Sequence, residues 1–190
     1  MPNKISRCPW GDTEDELMRD YHDNQWGKPC FDERTLFEML ILEGAQAGLS
    51  WSTILHKREN YRVAFDSWDI AQIAAYDDLK IAELLQNSGI VRNKLKVNAA
   101  IVNAQTVSKL GSLRNFIWDY VDGKPIVNHW QTQAEMPATT PLSDKISKEM
   151  KKLGFKFVGS TIIYSYLQAI GAVNDHIEGC AFKNIGREDL

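Results

Sequence analysis

Apolar residues recur at three- and four-residue intervals along most of the chain and strict alternation is nearly absent, so helices are predicted throughout. The strongest segment is FEMLILEGAQAGLSW, residues 37–51. Phe37, Leu40, Ile41 and Leu42 there mark a buried helix whose N-cap is Asp32. Glu43 enters its last turn among neighbours that offer no charge, and a buried carboxylate without a partner is costly. The small residues Gly44, Ala45, Ala47 and Gly48 follow, and Ser50 can cap a second helix that starts at Trp51. A carboxylate and an indole therefore share one tight corner. Either Glu43 reaches water at an ordinary helix end, or the corner is part of a site.

The rest of the chain repeats the helical period. Residues 12–22 read as a short helix, 50–56 as a helix, and 60–65 as its continuation in pattern. Asp69 and Asp77 look like N-caps for helices over 70–75 and 78–86. A turn at 87–90 precedes a long helix over 92–110 that Gly111 ends, and Ser112 caps a further helix through Val121. Residues 122–141, with three prolines, read as a long loop and the best boundary between lobes. Ser143 is expected to open a helix to Leu153, the hairpin GFKFVG follows, and 160–170 forms a last apolar helix stopped by Gly171. The predicted fold class is all-α, with all 190 residues in a single domain or in two helical lobes with the cleft between them.

Net charge changes this picture little, but its distribution does. At −3 the chain carries no basic coat, yet Lys145, Lys148, Lys151, Lys152 and Lys156 concentrate on one stretch. Acids crowd residues 12–16 and the C-terminal Glu188 and Asp189. No apolar run is long enough to span a bilayer, and the N-terminal stretch lacks a signal-type apolar core, so the expected setting is the cytoplasm with no membrane partner. The cysteines, Cys8, Cys30 and Cys180, are odd in number and far apart, which suits reduced thiols or metal ligands better than a disulfide framework.

Three constellations can carry chemistry. Cys8 and His22 near one end, with His176 and Cys180 near the other, make a Cys2His2 set, the composition zinc prefers. Four protein ligands would leave no position for water, making one structural ion that ties the N-terminal segment to the C-terminal one; the competing reading is four scattered core residues. The second constellation is the hairpin Gly154 to Gly159. Its glycines allow a sharp turn, its following amides can hold a phosphate, and nearby lysines add attraction to a nucleic-acid backbone. A helical hairpin with a solvated lysine face is the plain alternative. Third, Trp10, Tyr21, Trp26 and Trp51 accompany Glu43, and aromatic faces beside a carboxylate suit a flat, cationic or amino-bearing ligand, although most tryptophans are core residues.

Collinear motifs extend these readings: RCPWG at 7–11, YHDNQWGKP at 21–29, LFEMLILEGAQAGLSW at 36–51, KRENYRVAF at 57–65, GIVRNKLK at 89–96, GFKFVG at 154–159 and GAVNDHIEGC at 171–180. Through nearly its whole length the chain resembles the bacterial 3-methyladenine DNA glycosylase I family. The resemblance implies a helix-hairpin-helix DNA glycosylase fold and a zinc ion on Cys8, His22, His176 and Cys180. It also implies a base pocket lined by Trp10, Tyr21, Glu43 and Trp51, with Glu43 as the catalytic residue. Gly154, Lys156 and Gly159 would approach the DNA backbone, and the Gly48-Leu49 corner would fill the gap that an extruded nucleotide leaves, this last an assignment from position alone.

The implied activity is removal of 3-methyladenine, with 3-methylguanine as a second lesion, from double-stranded DNA containing alkylated bases, by a monomer. Tyr21 and Trp51 would sandwich or edge the cationic purine and Glu43 would accept its hydrogen bonds. Related glycosylases place an aspartate after the hairpin in a V-D-x-H context; the register Val173-Asn174-Asp175-His176 puts Asn174 there and leaves Asp175 to orient His176 or cap a helix. No lysine is placed as a Schiff-base nucleophile, so a monofunctional enzyme without lyase chemistry is expected. Met18, Gln25 and Ala45 depart from the tyrosine, glutamate and glutamine that many relatives carry, which bears on base range. Two other function classes remain: a non-catalytic binder of methylated DNA or free purine bases, and a zinc hydrolase, which needs an open coordination position.

Overall fold

The computed structural model describes residues 5–184; Glu188 and Asp189 of the acidic C-terminal cluster lie outside the described residues. The chain is mostly helical, in the order α1 (Glu16–Asn24), α2 (Glu33–Gln46), α3 (Trp51–Ala64), α4 (Ile70–Ala74), α5 (Asp78–Gln86), α6 (Lys94–Leu110), α7 (Leu113–Trp118), α8 (Pro141–Leu153) and α9 (Ser160–Ala169). Helix α2 is buried on every side, all ten residues from Leu36 to Ala45 being buried, Glu38 and Glu43 among them. Helices α3, α6, α7 and α9 pack around it, as a helix buried all round requires.

Polar side chains set the helix starts. The predicted caps Asp32, Ser50, Asp69, Asp77 and Ser112 each accept a backbone N–H from the helix that follows. Three starts fall elsewhere: α1 begins after Asp15, α6 after Asn93, and α8 after Thr140 with Pro141 in its first position. Thr140 and Ser143 exchange side-chain and backbone hydrogen bonds, so Ser143 lies inside the first turn of α8 and does not open it.

The break expected near His56 is absent, and α3 runs continuously. Its polar middle is held inward by Arg58, which donates to Glu38 at 2.7 and 3.0 Å and to Gln25 at 2.5 Å. The 122–141 stretch also has more structure than a loop. Ile126–Val127 (β1) pairs in parallel with Val173–Asn174 (β2), and Gln133–Glu135 forms a 3-10 turn. Two residues per strand are too few for an alternation signal to show in the sequence.

Candidate active site

The ends of α1, α2 and α3 converge on a cavity of about 330 Å³, within the range of small-ligand pockets. Trp10, Met18, Tyr21, Trp26, Glu43 and Trp51 line it from the N-terminal third of the chain. Trp10, Tyr21, Glu43 and Trp51, predicted as one group, are thus brought together. Glu43 is 4% exposed, is the one acid among the described lining residues, and accepts no hydrogen bond. Burial pushes its carboxyl up to about 8. Burial above all, and then the neighbouring Glu43, raise the Tyr21 hydroxyl well beyond the ordinary phenol range, so it stays neutral.

Ring geometry separates the two arrangements expected of Tyr21 and Trp51, a sandwich and an edge contact. The centroids of Tyr21 and Trp51 are 5.2 Å apart at an interplanar angle of 47°. A purine between two rings needs about 7 Å, twice a van der Waals contact. Tyr21 and Trp51 therefore cannot sandwich a base between them; they pack on each other and present an edge or one face to the cavity. Trp10 meets Trp26 edge-on at 5.0 Å. The Trp51 Nε1–H is buried without a partner among the described residues, which leaves a donor available to a ligand.

The other wall was not foreseen. Gln46, Gln133, Met136, Ser165 and Gln168 complete the lining. Gln133 and Met136 come from the 3-10 turn and the residue after it, and Ser165 and Gln168 from α9. The two segments are joined by Asp175, which is fully buried and accepts hydrogen bonds from Tyr164, Gln168 at 2.6 Å, Asn128 at 2.7 Å and Trp130 at 2.8 Å. Asp175 neither orients His176 nor caps a helix, because four donors already hold it. Asn174 is buried in β2, donates to the Lys183 carbonyl and accepts from the His176 N–H, and does not line the cavity.

Behind the ring wall, the ligand atoms of Cys8, His22, His176 and Cys180 lie within 4.8 Å of one another, all four residues buried. Sulfur–nitrogen separations are 3.5 Å for Cys8 to His176, 3.4 Å for Cys180 to His176 and 3.7 Å for Cys180 to His22. A tetrahedral ion about 2.3 Å from sulfur and about 2.0 Å from nitrogen needs an edge of about 3.5 Å, so the donor set fits a small metal ion. The other ring nitrogens are engaged: His22 Nδ1 with Asp23 at 2.7 Å and His176 Nε2 with the Trp26 carbonyl at 3.1 Å. Asp23 is in turn gripped by Arg7 at 2.7 to 3.0 Å. Such outer contacts fix which nitrogen of each ring faces inward. Cys30 stands apart, half-buried, as an ordinary thiol.

The predicted nucleic-acid residues form a second cluster. Gly154 ends α8 at φ 101°, a conformation glycine adopts without strain. Lys156 is exposed at the hairpin, whose backbone is pinned by Asn103: its side chain accepts the Lys156 N–H at 2.8 Å and donates to the Lys156 carbonyl at 3.0 Å. Gly159 precedes α9 with no side-chain cap, which leaves the first amides of α9 without a side-chain acceptor. Phe157 packs on Gly44, where an added Cβ would approach it to 3.1 Å. The exposed Gly48-Leu49 corner follows directly, with Leu49 40% exposed. Lys145, Lys148, Lys151 and Lys152 are exposed along α8.

A family model described as methyladenine glycosylase matches residues 10–184. DNA-3-methyladenine glycosylase 1 of Escherichia coli (strain K12) is 46% identical over 180 residues, 93% of this chain and 96% of the relative. A crystal structure of 3-methyladenine DNA glycosylase I shares 49% identity at a TM-score of 0.89, covering 93% of this chain and 98% of that one. A Staphylococcus aureus 3-methyladenine DNA glycosylase I, solved to explain 3-methyladenine recognition, shares 35% identity at a TM-score of 0.88, covering 90% and 93%.

Proposed function

The chain belongs to the methyladenine glycosylase family, and on that premise we propose that it is a base-excision repair glycosylase hydrolysing the N-glycosidic bond of 3-methyladenine in alkylated double-stranded DNA. One observation carries the reading: a lone carboxylic acid, buried and unpaired, in a cavity walled by aromatic rings. No lysine or arginine among the described lining residues pairs with it, so its carboxyl holds a proton that a cationic ligand would displace in order to pair with the carboxylate. In the nucleotide, 3-methyladenine carries positive charge and leaves as a neutral base.

Glu43 would accept hydrogen bonds from the base, the ring cluster would offer its face and edge, and water would attack C1′ as the bond lengthens. Because the leaving group is already activated, positioning and charge supply most of the acceleration, and no general acid is required. The extruded nucleotide explains the neighbouring surfaces. The hairpin of Gly154, Lys156 and Gly159, with the open amides of α9, would hold the DNA backbone in a helix-hairpin-helix arrangement. Leu49, beside Gly48, would enter the vacated stack.

Cys8, His22, His176 and Cys180 would hold one zinc ion, which supplies structural cross-linking between the two ends of the chain. Four protein donors leave no position for water, which argues against hydrolysis at the metal. The lack of a lysine among the described lining residues supports monofunctional chemistry without strand cleavage.

Incubation with methylated duplex DNA tests this. The expected products are free 3-methyladenine and an intact strand that breaks at the abasic site only on heating in alkali. Bound DNA without released base would establish a non-catalytic binder instead, and breakage without alkali would exclude the monofunctional assignment. A finer expectation concerns the unforeseen wall. Gln133→Ala with Met136→Ala should weaken binding of free 3-methyladenine several-fold, read from quenching of tryptophan fluorescence, and should alter the ratio of 3-methyladenine to 3-methylguanine release. An unchanged affinity and ratio would remove this wall from recognition.

A further inference from the structure

Helix α2 ends between the cavity and the surface assigned to DNA, and the carbonyls of Gly44, Ala45, Gln46 and Ala47 are each engaged. Ala47 N–H donates to the Gly44 carbonyl at 3.4 Å and Leu49 N–H to the Gln46 carbonyl at 2.6 Å. The carbonyls of Ala45 and Ala47 both accept from Lys96 Nζ, each at 2.7 Å. Lys96 reaches them from the first turn of α6, 51 and 49 residues away in sequence. Partial burial lowers its ammonium below the ordinary lysine range, and among the described residues no carboxylate pairs with it.

A cation at the C-terminal end of a helix interacts favourably with the negative end of its dipole, and two carbonyls held by one ammonium fix the direction in which the chain leaves the helix. That direction decides where Gly48, at φ 80°, and the exposed Leu49 project. The same α6 pins the hairpin through Asn103, so a single helix sets the spacing between the corner and the hairpin.

We propose that Lys96 is a positioning residue that clamps the end of α2, so that the Gly48-Leu49 corner stands ready to enter the duplex while the hairpin holds the backbone. The proposal rests on the glycosylase reading. It assigns Lys96 no contact with the base and none with a phosphate.

Lys96→Met and Lys96→Arg test it against wild type. For Lys96→Met, single-turnover release of 3-methyladenine from methylated duplex DNA should fall tenfold or more, with affinity for free 3-methyladenine unchanged within twofold. Lys96→Arg, which keeps the charge and two donors, should recover most of the rate. The salt dependence of duplex binding separates clamp from phosphate contact: loss of a phosphate contact lowers the slope of log K against log salt by about one, whereas loss of the clamp leaves it unchanged. A rate within twofold of wild type for Lys96→Met, a parallel loss of free-base affinity, or a slope lowered by about one would each overturn the clamp. Failure of the wild type to release any base would instead overturn the glycosylase reading.

Discussion

Glu43→Gln is expected to slow release of 3-methyladenine from methylated duplex DNA on the order of a hundredfold while making the fold more stable in mildly alkaline solution. Both effects follow from one buried acid. Its carboxyl is raised from the ordinary 4.5 to about 8 because burial strips its water and no donor replaces it. Between those values the folded chain holds a proton that the unfolded chain has lost, so this group makes stability fall as pH rises from about 4.5 to about 8 and level off above. The full span corresponds to as much as about 4 kcal/mol at pH 8. Glutamine does not titrate, so the variant's melting temperature should exceed that of wild type by a margin that widens between pH 5 and pH 8.5.

The same linkage describes recognition. A neutral adenine meets a neutral acid below pH 8, and no charge favours it. A cationic base draws the proton off, and the resulting ion pair is strong because the cavity is poorly screened. Affinity for the cationic lesion should therefore rise with pH up to about 8 and be flat above it. Once the bond breaks the base is neutral, the carboxylate loses its counter-charge and retakes a proton, and the product is held weakly. Equal melting curves for Glu43→Gln and wild type at both pH values, or pH-dependent release that survives the substitution, would show that this acid is not the selector.

The half of the site that sequence reasoning could find consists of residues whose type is improbable in its place. Glu43 interrupts an apolar helix, and Cys8, His22, His176 and Cys180 are types that rarely gather without a reason. The caps Asp32, Ser50, Asp69, Asp77 and Ser112 were legible because an N-cap is a local hydrogen bond between residues two or three apart. Gln133, Met136, Ser165 and Gln168 carry no such local sign. They are ordinary residues made into a cavity wall by Asp175, whose four donors come from two segments far apart in sequence. Lys96 is hidden in the same way, since its partners are backbone carbonyls that no side-chain pattern announces. The continuity of α3 depends likewise on Arg58 finding Glu38 and Gln25 across the fold.

Cys180→Ser is expected to reduce bound zinc from about one equivalent to a small fraction and to lower stability by several kcal/mol, because a structural ion's binding energy is folding energy. Cys30→Ser, made in parallel, should change neither. The loss should reach the base cavity as well. His22 meets Trp10 edge-on at 4.9 Å and His176 meets Trp26 edge-on at 4.7 Å, and both tryptophans line the cavity. The Trp26 carbonyl also takes the outer nitrogen of His176. The proposed metal ligands and the cavity wall therefore share contacts, and releasing the histidines would free two of the rings that shape the pocket. Quenching by free 3-methyladenine should weaken together with metal content when wild type is treated with a chelator, and should return when zinc is restored. The outer support predicts a graded version: Asp23→Asn keeps the size of the side chain but removes the charge facing His22 and Arg7, and should lower metal affinity by about 10- to 100-fold without emptying the site at excess zinc. Elemental analysis and thermal denaturation decide the case. A Cys180→Ser protein with undiminished zinc and an unchanged melting temperature would mean that these four side chains are packed together for some other reason.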